Sequence, residues 1–452
     1  MTSPKEYIEQ HREELLQELF DALRIPSISS QSEHKPDMLR MAEYWKKYLI
    51  KIGMPEVEIF STPGNPVVYA KRIIDPKAKT ILVYGHYDVM PVEPIELWES
   101  KPFEPEVRNG RIYARGADDD KGQSFTQLAG LKTALALGWV KCNVKIILEG
   151  EEEIGSIHLE DFCIAHKEML QADVILVSDT SMLATDVPSI TSGLRGLSYL
   201  EIEVTGPDHD LHSGHYGGAV ANPLNVLCKM IADVQDENGR ITIPGFYDDV
   251  LPLEQEERDM IAQIPYDEES YKKEIGVKEL FGEKGFHTLE RNSCRPSFDL
   301  CGIWGGYTGE GAKTVLPSKA TAKFSSRLVA NQDFHKINQL FVDYFEKVAP
   351  PYVSVKVTPL HGGEAFICPL DLPEYKVVEN AIEKVFGKRP LSVRSGGSIP
   401  IIAAFERVLG LKSILMGFGL GADAIHSPNE NFPLEMLFKG IETVAEFYHI
   451  YE

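Results

Sequence analysis

The chain has 452 residues, 43% of them hydrophobic and 25% charged, so it is globular, too long for one compact core, and expected to fold as two or three units. Its 68 acidic against 46 basic side chains leave a formal charge of −22, which repels nucleic-acid phosphates and anionic membrane surfaces and argues against both as partners. The opening stretch MTSPKEYIEQHREELLQELF is charged throughout, no later run is long enough to span a bilayer, and the six cysteines form no CxxC pair, so a cytoplasmic protein with buried or incidental thiols is expected.

Ser3-Pro4-Lys5-Glu6 has the signature of a helix start: a capping hydroxyl, proline at the first helical position and a glutamate three residues after the serine. Tyr7, Ile8, Leu15, Leu19 and Leu23 follow helical spacing and predict one inward face. Short Val- and Ile-rich runs then alternate with longer helical stretches: TILVYGHYD (80–88), the helix-like SFTQLAGLKTALALGW (124–139), VKIILEGEE (144–152) and VILVSD (174–179). That alternation predicts a parallel sheet covered by helices. The strand runs end in His86 and Asp88, in Glu149 to Glu153 and in Asp179, and open α/β sheets place their sites at the carboxyl ends of strands.

After Gly193 the pattern changes to LSYLEIEVTG (197–206), TAKFSSRLVA (321–330) and YVSVKVTPL (352–360), which alternate as one-sided antiparallel strands do. Buried-strand and helix character returns with KSILMGFG (412–419) and LEMLFKGIETVAEFYHIY (434–451). The expected fold class is therefore α/β, a mixed, mostly parallel sheet flanked by helices. An α+β domain at 193–375 is inserted between its two parts, 1–192 and 376–452, and no internal repeat is evident.

Gly85-His86-Tyr87-Asp88 sets two polar side chains two residues apart at a strand end, so both can point to one side and Asp88 can orient the imidazole. Arg115-Gly116-Ala117-Asp118-Asp119-Asp120-Lys121-Gly122 places three carboxylates in a row before a helix, a pattern that helix capping alone also explains. Glu149-Gly150-Glu151-Glu152-Glu153-Ile154-Gly155-Ser156 follows an apolar strand, where repulsion among like charges is offset by cations or relieved in a solvated loop. Asp179 ends a third strand, and Ala424-Ile425-His426-Ser427-Pro428-Asn429-Glu430 supplies a second imidazole in a loop. Two divalent cations need imidazole and carboxylate ligands, one bridging carboxylate and an open position for water, and the chain offers candidates for each role.

With DLHSGHYGG (210–218), GAKTVLPSKATAKFSSRLV (311–329) and GGSIP (396–400), these motifs resemble, over nearly the whole chain, the dinuclear zinc peptidase family of cytosolic nonspecific dipeptidase, carnosinase and glutamate carboxypeptidase. The dipeptidase branch fits best. The resemblance implies that the inserted domain is a lid and dimerisation domain. It implies that His86, Asp119 and Asp179 bind one ion and Asp119, Glu153 and His426 the other, with Asp119 as the bridge and a cis peptide bond between Asp119 and Asp120. Two divalent ions per subunit follow, Zn²⁺ first, with Mn²⁺ also accommodated by such ligands.

The same resemblance makes Glu152 the general base toward a water bridging the ions, and Asp88 the support of His86. It makes His212 the oxyanion donor, reaching from the lid into the site of the neighbouring subunit, so that a homodimer is needed for full activity. Arg327 would grip the terminal carboxylate of a small peptide, although an alternating strand commonly carries such a charge for solubility. Thr314, His361 and Ser398 would line the same pocket. One departure stands out: the residue before the Asp-Asp-Lys-Gly run is usually small in the family and here is Asp118, so the bridge is assigned by counting back from Lys121-Gly122.

The implied reaction is hydrolysis of the peptide bond of dipeptides. The same metal cage could serve an N-acyl amino acid deacylase, a desuccinylase or a carboxypeptidase. A non-catalytic, metal-containing binding protein would need neither a general base nor an open metal position.

Overall fold

In the computed structural model, which describes residues Thr2–Glu452 apart from the side chain of Glu274, Ser3 caps the helix Pro4–Gln10 as its motif requires. Its hydroxyl accepts from the Glu6 N–H (3.2 Å), and Glu6 Oε2 accepts from the Ser3 N–H (2.9 Å). Helicity pauses at His11, whose N–H is shared between the Tyr7 and Ile8 carbonyls, so the predicted face is carried by two helices, Pro4–Gln10 and Arg12–Leu23. Ile8, Leu15, Leu19 and Leu23 are buried and Tyr7 is half-buried.

Two compact units form. One comprises the residues up to Ser192 with Cys368–Val393 and Ile401–Glu452; the other comprises Gly193–Ile367 and Arg394–Pro400. The chain thus returns to the first unit at Cys368, ahead of residue 375, and later gives one short segment back to the second.

The sheet of the first unit is mixed and mostly parallel at its centre. Its strands run in the order Glu56–Phe60, Val67–Arg72, Asn143–Glu149, Thr80–His86, Val174–Val177, Ser413–Leu415, Ser189–Leu194. The pairings among Asn143–Glu149, Thr80–His86, Val174–Val177 and Ser413–Leu415 are parallel, and those outside them antiparallel. The central strands are buried on both faces, which is why they read as unbroken apolar runs. Their register aligns His86 with Glu149 and Tyr84 with Val177, so the carboxyl ends of neighbouring strands release their polar residues at one edge.

Helix Lys121–Ala136 is buried almost throughout and packs on Leu434–Ile450. The two approach through glycines: a methyl group on Gly130 would lie 2.4 Å from Val444 Cβ, and one on Gly440 2.6 Å from Thr126 Cγ2.

The second unit is built on an antiparallel sheet ordered Ser297–Gly305, Lys319–Leu328, Gly196–Thr205, Ser354–Gly363. Along Gly196–Thr205 burial alternates strictly, and Leu200, Ile202 and Val204 join Phe298, Phe324, Phe341 and Phe345 in a core that helices Pro223–Ala232 and Phe334–Val348 cover. The edge strand Ser297–Gly305 is not evident from the sequence. It alternates poorly, and its register slips between Leu300 and Gly302. Among the described residues no helix is long and apolar enough to cross a membrane.

The glycine contact between the two packed helices makes a direct prediction. Gly130→Ala is expected to cost about 1–3 kcal/mol by overpacking, read as a lower denaturant midpoint. Gly421→Ala, where an added methyl meets nothing within 4 Å, should leave the midpoint unchanged.

Candidate metal centre

His86 ends the central strand with its imidazole fully buried. Nδ1 lies 3.1 Å from the Asp88 carbonyl and 3.4 Å from Asp88 Oδ1, so an Nδ1–H is held on the Asp88 side and Nε2 faces the other way. There Nε2 meets Asp119 Oδ1 at 3.1 Å and Asp179 Oδ2 at 3.9 Å. The carboxylate of Asp88 also accepts from the N–H groups of Glu152 (3.2 Å) and Glu153 (3.1 Å), tying the strand end to the glutamate loop.

The acidic run distributes its three carboxylates in three directions. Asp119 faces both imidazoles: Oδ1 toward His86 and Oδ2 toward His426 Nε2 at 2.9 Å. Asp120, joined to it by a cis peptide bond, turns under the strand and accepts from His86 N (3.0 Å) and Ser124 Oγ (2.6 Å). Asp118 packs against Gly419, where an added methyl would lie 2.5 Å from its oxygens. Asp119 is therefore the member of the run that both ligand groups share. Lys121 is buried and donates to the Ile25 carbonyl (2.6 Å); burial pushes its ammonium down to about 7.

The glutamate run divides its labour too. Glu149 accepts from Tyr84 (2.7 Å) and Ser156 (2.8 Å), and burial pushes it up to about 8. Glu151 accepts from the N–H of Asn65 (3.0 Å) and faces His158 Nδ1 (2.9 Å). Glu153 sends Oε2 to His426 Nε2 (3.1 Å), while its buried Oε1 has no partner. The Glu152 carboxyl makes no hydrogen bond among the described residues.

Two sets of donor atoms result, each gathered within 4.8 Å: His86, Asp119 and Asp179, and Asp119, Glu153 and His426. Burial pushes Asp179 and Glu152 well above the carboxylate range and Glu153 up to about 7. Hydrogen bonds to Asp119 and Glu153 push His426 up to about 10. Asp119, despite its burial, is held low by His426 and His86. So many buried acids, with an orphaned Glu153 oxygen among them, have only two imidazoles at the centre to offset them, and mixed imidazole and carboxylate donors suit divalent transition-metal ions. The donor set fits two such ions.

The remaining candidates lie in the second unit, in two neighbourhoods. His212 and Thr314 flank a short ribbon, Leu211–His212 paired with Val315–Leu316, with Thr314 Oγ1 3.5 Å from His212 Nε2. His212 Nδ1 accepts from the Gly214 N–H (2.9 Å), so its proton sits on the exposed Nε2, where it can be donated. Arg327 donates to Ser398 Oγ (2.8 Å), and Ser398 in turn donates to the Arg195 carbonyl (2.5 Å). Among the described residues no carboxylate pairs with the Arg327 guanidinium. His361 stacks on Tyr199, with centroids 4.9 Å apart, and burial together with the charge of Arg327 holds its imidazole below the usual range.

Glu149, Glu151 and Glu430 lie inside the glutamate and His426 motifs and carry no role that the sequence alone implies. The structure buries all three, as holders of the loops around the donors. The local signal was too many acids for the number of ligands needed; which acid faces which way depends on backbone dihedrals.

The profile of Peptidase family M20/M25/M40 matches residues 82–449. The chain is 34% identical over 460 residues to Cys-Gly metallodipeptidase dug1 of Schizosaccharomyces pombe, covering 98% of this chain and 97% of that protein. Identity to the Beta-Ala-His dipeptidase of Homo sapiens is 30%, over 98% of this chain and 91% of the other. Among solved structures, the M20 family metallo-carboxypeptidase Sso-CP2 from Sulfolobus solfataricus matches with a TM-score of 0.89 at 34% identity, covering 97% of this chain and 99% of that one. The chain belongs to peptidase family M20/M25/M40 and is a metallopeptidase.

Proposed function

We propose that the protein hydrolyses the peptide bond of dipeptides, with Zn²⁺ or Mn²⁺ as its ions. The observation that carries this reading is the carboxylate of Asp119 set between two imidazoles, with the unpartnered carboxyl of Glu152 beside them. Relatives named for Cys-Gly and Beta-Ala-His dipeptides support the substrate class. His86, Asp119 and Asp179 would hold one ion, and Asp119, Glu153 and His426 the other. Bound there, the ions supply Lewis acidity toward the scissile carbonyl and lower the pKa of water.

The chain's own groups do the rest. Glu152 takes a proton from the attacking water and delivers it to the leaving amine nitrogen, a task for which its carboxyl is free of competing hydrogen bonds among the described residues. Asp88 holds the His86 tautomer. The exposed Nε2–H of His212 donates to the carbonyl oxygen as negative charge develops on it, from the lid of the partner in a homodimer. Arg327, steadied by Ser398 and lacking a carboxylate of its own, grips the substrate's terminal carboxylate with His361 beside it, and Thr314 joins that pocket together with His212 from the partner. The segments 1–192 and 376–452 form the catalytic domain in this scheme, and 193–375 the lid and dimerisation domain. We place the protein in the cytoplasm, which agrees with six free cysteines.

A second reading, a carboxypeptidase, draws on the likeness to Sso-CP2. A panel of dipeptides, longer peptides and N-acyl amino acids, run with a chelator control, decides between them. Chelator-sensitive release of both amino acids from dipeptides, with little from longer chains, is the expected result; preferential trimming of longer peptides would favour the second reading.

Glu152→Gln should lower kcat by roughly 10²–10⁴-fold, the worth of a general base, while both ions stay bound. Glu153→Ala should instead lose metal by elemental analysis. Full activity in Glu152→Gln would end the assignment of the base.

Mixing Glu152→Gln with His212→Ala chains tests action across the dimer. In an equal mixture, random pairing makes half the dimers mixed, each with one intact site, so about a quarter of wild-type activity should return. No recovery after verified subunit exchange would put His212 to work within its own chain or in structure alone.

A further inference from the structure

Glu430, four positions beyond His426 in the chain, is wholly buried in the first unit, and its carboxylate is committed to the loop that carries Asp119. Oε2 accepts from Arg115 Nη1 (2.7 Å) and from the Gly116 N–H (3.0 Å). Oε1 accepts from the N–H groups of Asp118 and Asp119, both at 3.1 Å. Main-chain bonds continue the join: the Ala114 N–H donates to the Glu430 carbonyl (3.2 Å), and Asn431–Pro433 pairs antiparallel with Arg111–Tyr113. The guanidinium of Arg115 is buried with its partner and balances the charge.

Neither loop holds its shape unaided. Ala424, His426 and Asn429 have φ of +57°, +61° and +63°, a left-handed backbone that non-glycine residues adopt only where surroundings impose it. On one flank Asn429 is fastened to the Glu99 N–H (2.8 Å) and the Leu97 carbonyl (2.9 Å). On the other, Glu430 carries the restraint directly to the main chain of Asp119. The acidic loop gains in return, because the turn N–H groups of Gly116, Asp118 and Asp119, which no helix or strand satisfies, find their acceptor in Glu430.

We propose that Glu430 is a positioning residue that locks Asp119 and His426 into one frame, so that the shared carboxylate meets the second imidazole. It touches neither ion nor substrate and acts through those two side chains. The inference rests on reading Asp119 and His426 as metal ligands.

The test uses the full chain loaded with Co²⁺, whose absorption reports ligand geometry. Glu430→Gln keeps the volume but turns an NH₂ group toward N–H donors, so two of the four bonds fail. Expected are a 10–100-fold loss of Co²⁺ affinity in chelator competition and a changed Co²⁺ spectrum. KM should hold while kcat falls, and Glu430→Asp, which keeps the charge, should recover part of both. A purely structural role would lower the unfolding midpoint of the metal-free protein while affinity and spectrum stayed as in wild type, and that outcome overturns the proposal. If the glutamine variant does not fold, Glu430→Asp decides alone: weakened Co²⁺ retention supports the proposal and wild-type retention overturns it. Asp119→Ala, measured alongside, distinguishes the two layers, since retention of both ions there would remove the ligand assignment itself and this inference with it.

Discussion

A single carboxylate set between two imidazoles, inside a pocket crowded with further acids, is the arrangement on which the rest of this protein depends. Asp119 can face His86 and His426 at once only if the other acids around it are held in fixed positions beside the same imidazoles, as Glu153 is at His426. Burial raises the cost of each of these charges, as the upward shifts of Asp179, Glu152 and Glu153 show. The chain does not meet that cost with lysines or arginines at the centre. The acids are left to hold protons instead, which bound divalent cations would displace.

Around that centre, each acidic motif divides its carboxylates between the site and the scaffold. In the aspartate run, Asp120 supports the backbone of His86 and Asp118 turns to Gly419. In the glutamate run, Glu149 and Glu151 hold tyrosine, serine and histidine partners while Glu153 faces His426. Asp88 links the His86 strand end to the glutamate run by orienting an imidazole with its carbonyl and receiving two loop N–H groups with its carboxylate. The carboxyl ends of parallel strands make this possible, because adjacent strands deliver their terminal residues to one edge while their apolar bodies stay buried.

The second unit solves a different problem. Its sheet buries one face under helices and leaves polar side chains such as Glu201, Glu203, Lys323 and Arg327 on the other. Arg327 stands on that polar face with a hydroxyl but no carboxylate as partner, and the Nε2 proton of His212 is exposed. Ser398 reaches Arg327 because Arg394–Pro400, late in the chain, belongs to this unit.

Apolar periodicity and strand-end chemistry were legible from the sequence by itself. The unbroken runs ending in His86, Glu149 and Asp179 announced a parallel sheet, and strict alternation after Gly193 announced a one-sided antiparallel one, because burial acts on every residue of such runs in turn. The capping box at Ser3 was equally local. The edge strand Ser297–Gly305 and the break at His11 were not, since edge pairing and a shared hydrogen bond leave no periodic trace. Tertiary structure alone decided which acid of each run faces the imidazoles, where the segment Arg394–Pro400 belongs, and that Glu430 fastens the His426 loop to Asp119. The reason is the same in each case: these outcomes depend on hydrogen bonds between residues far apart in the chain, whose partners no local pattern names.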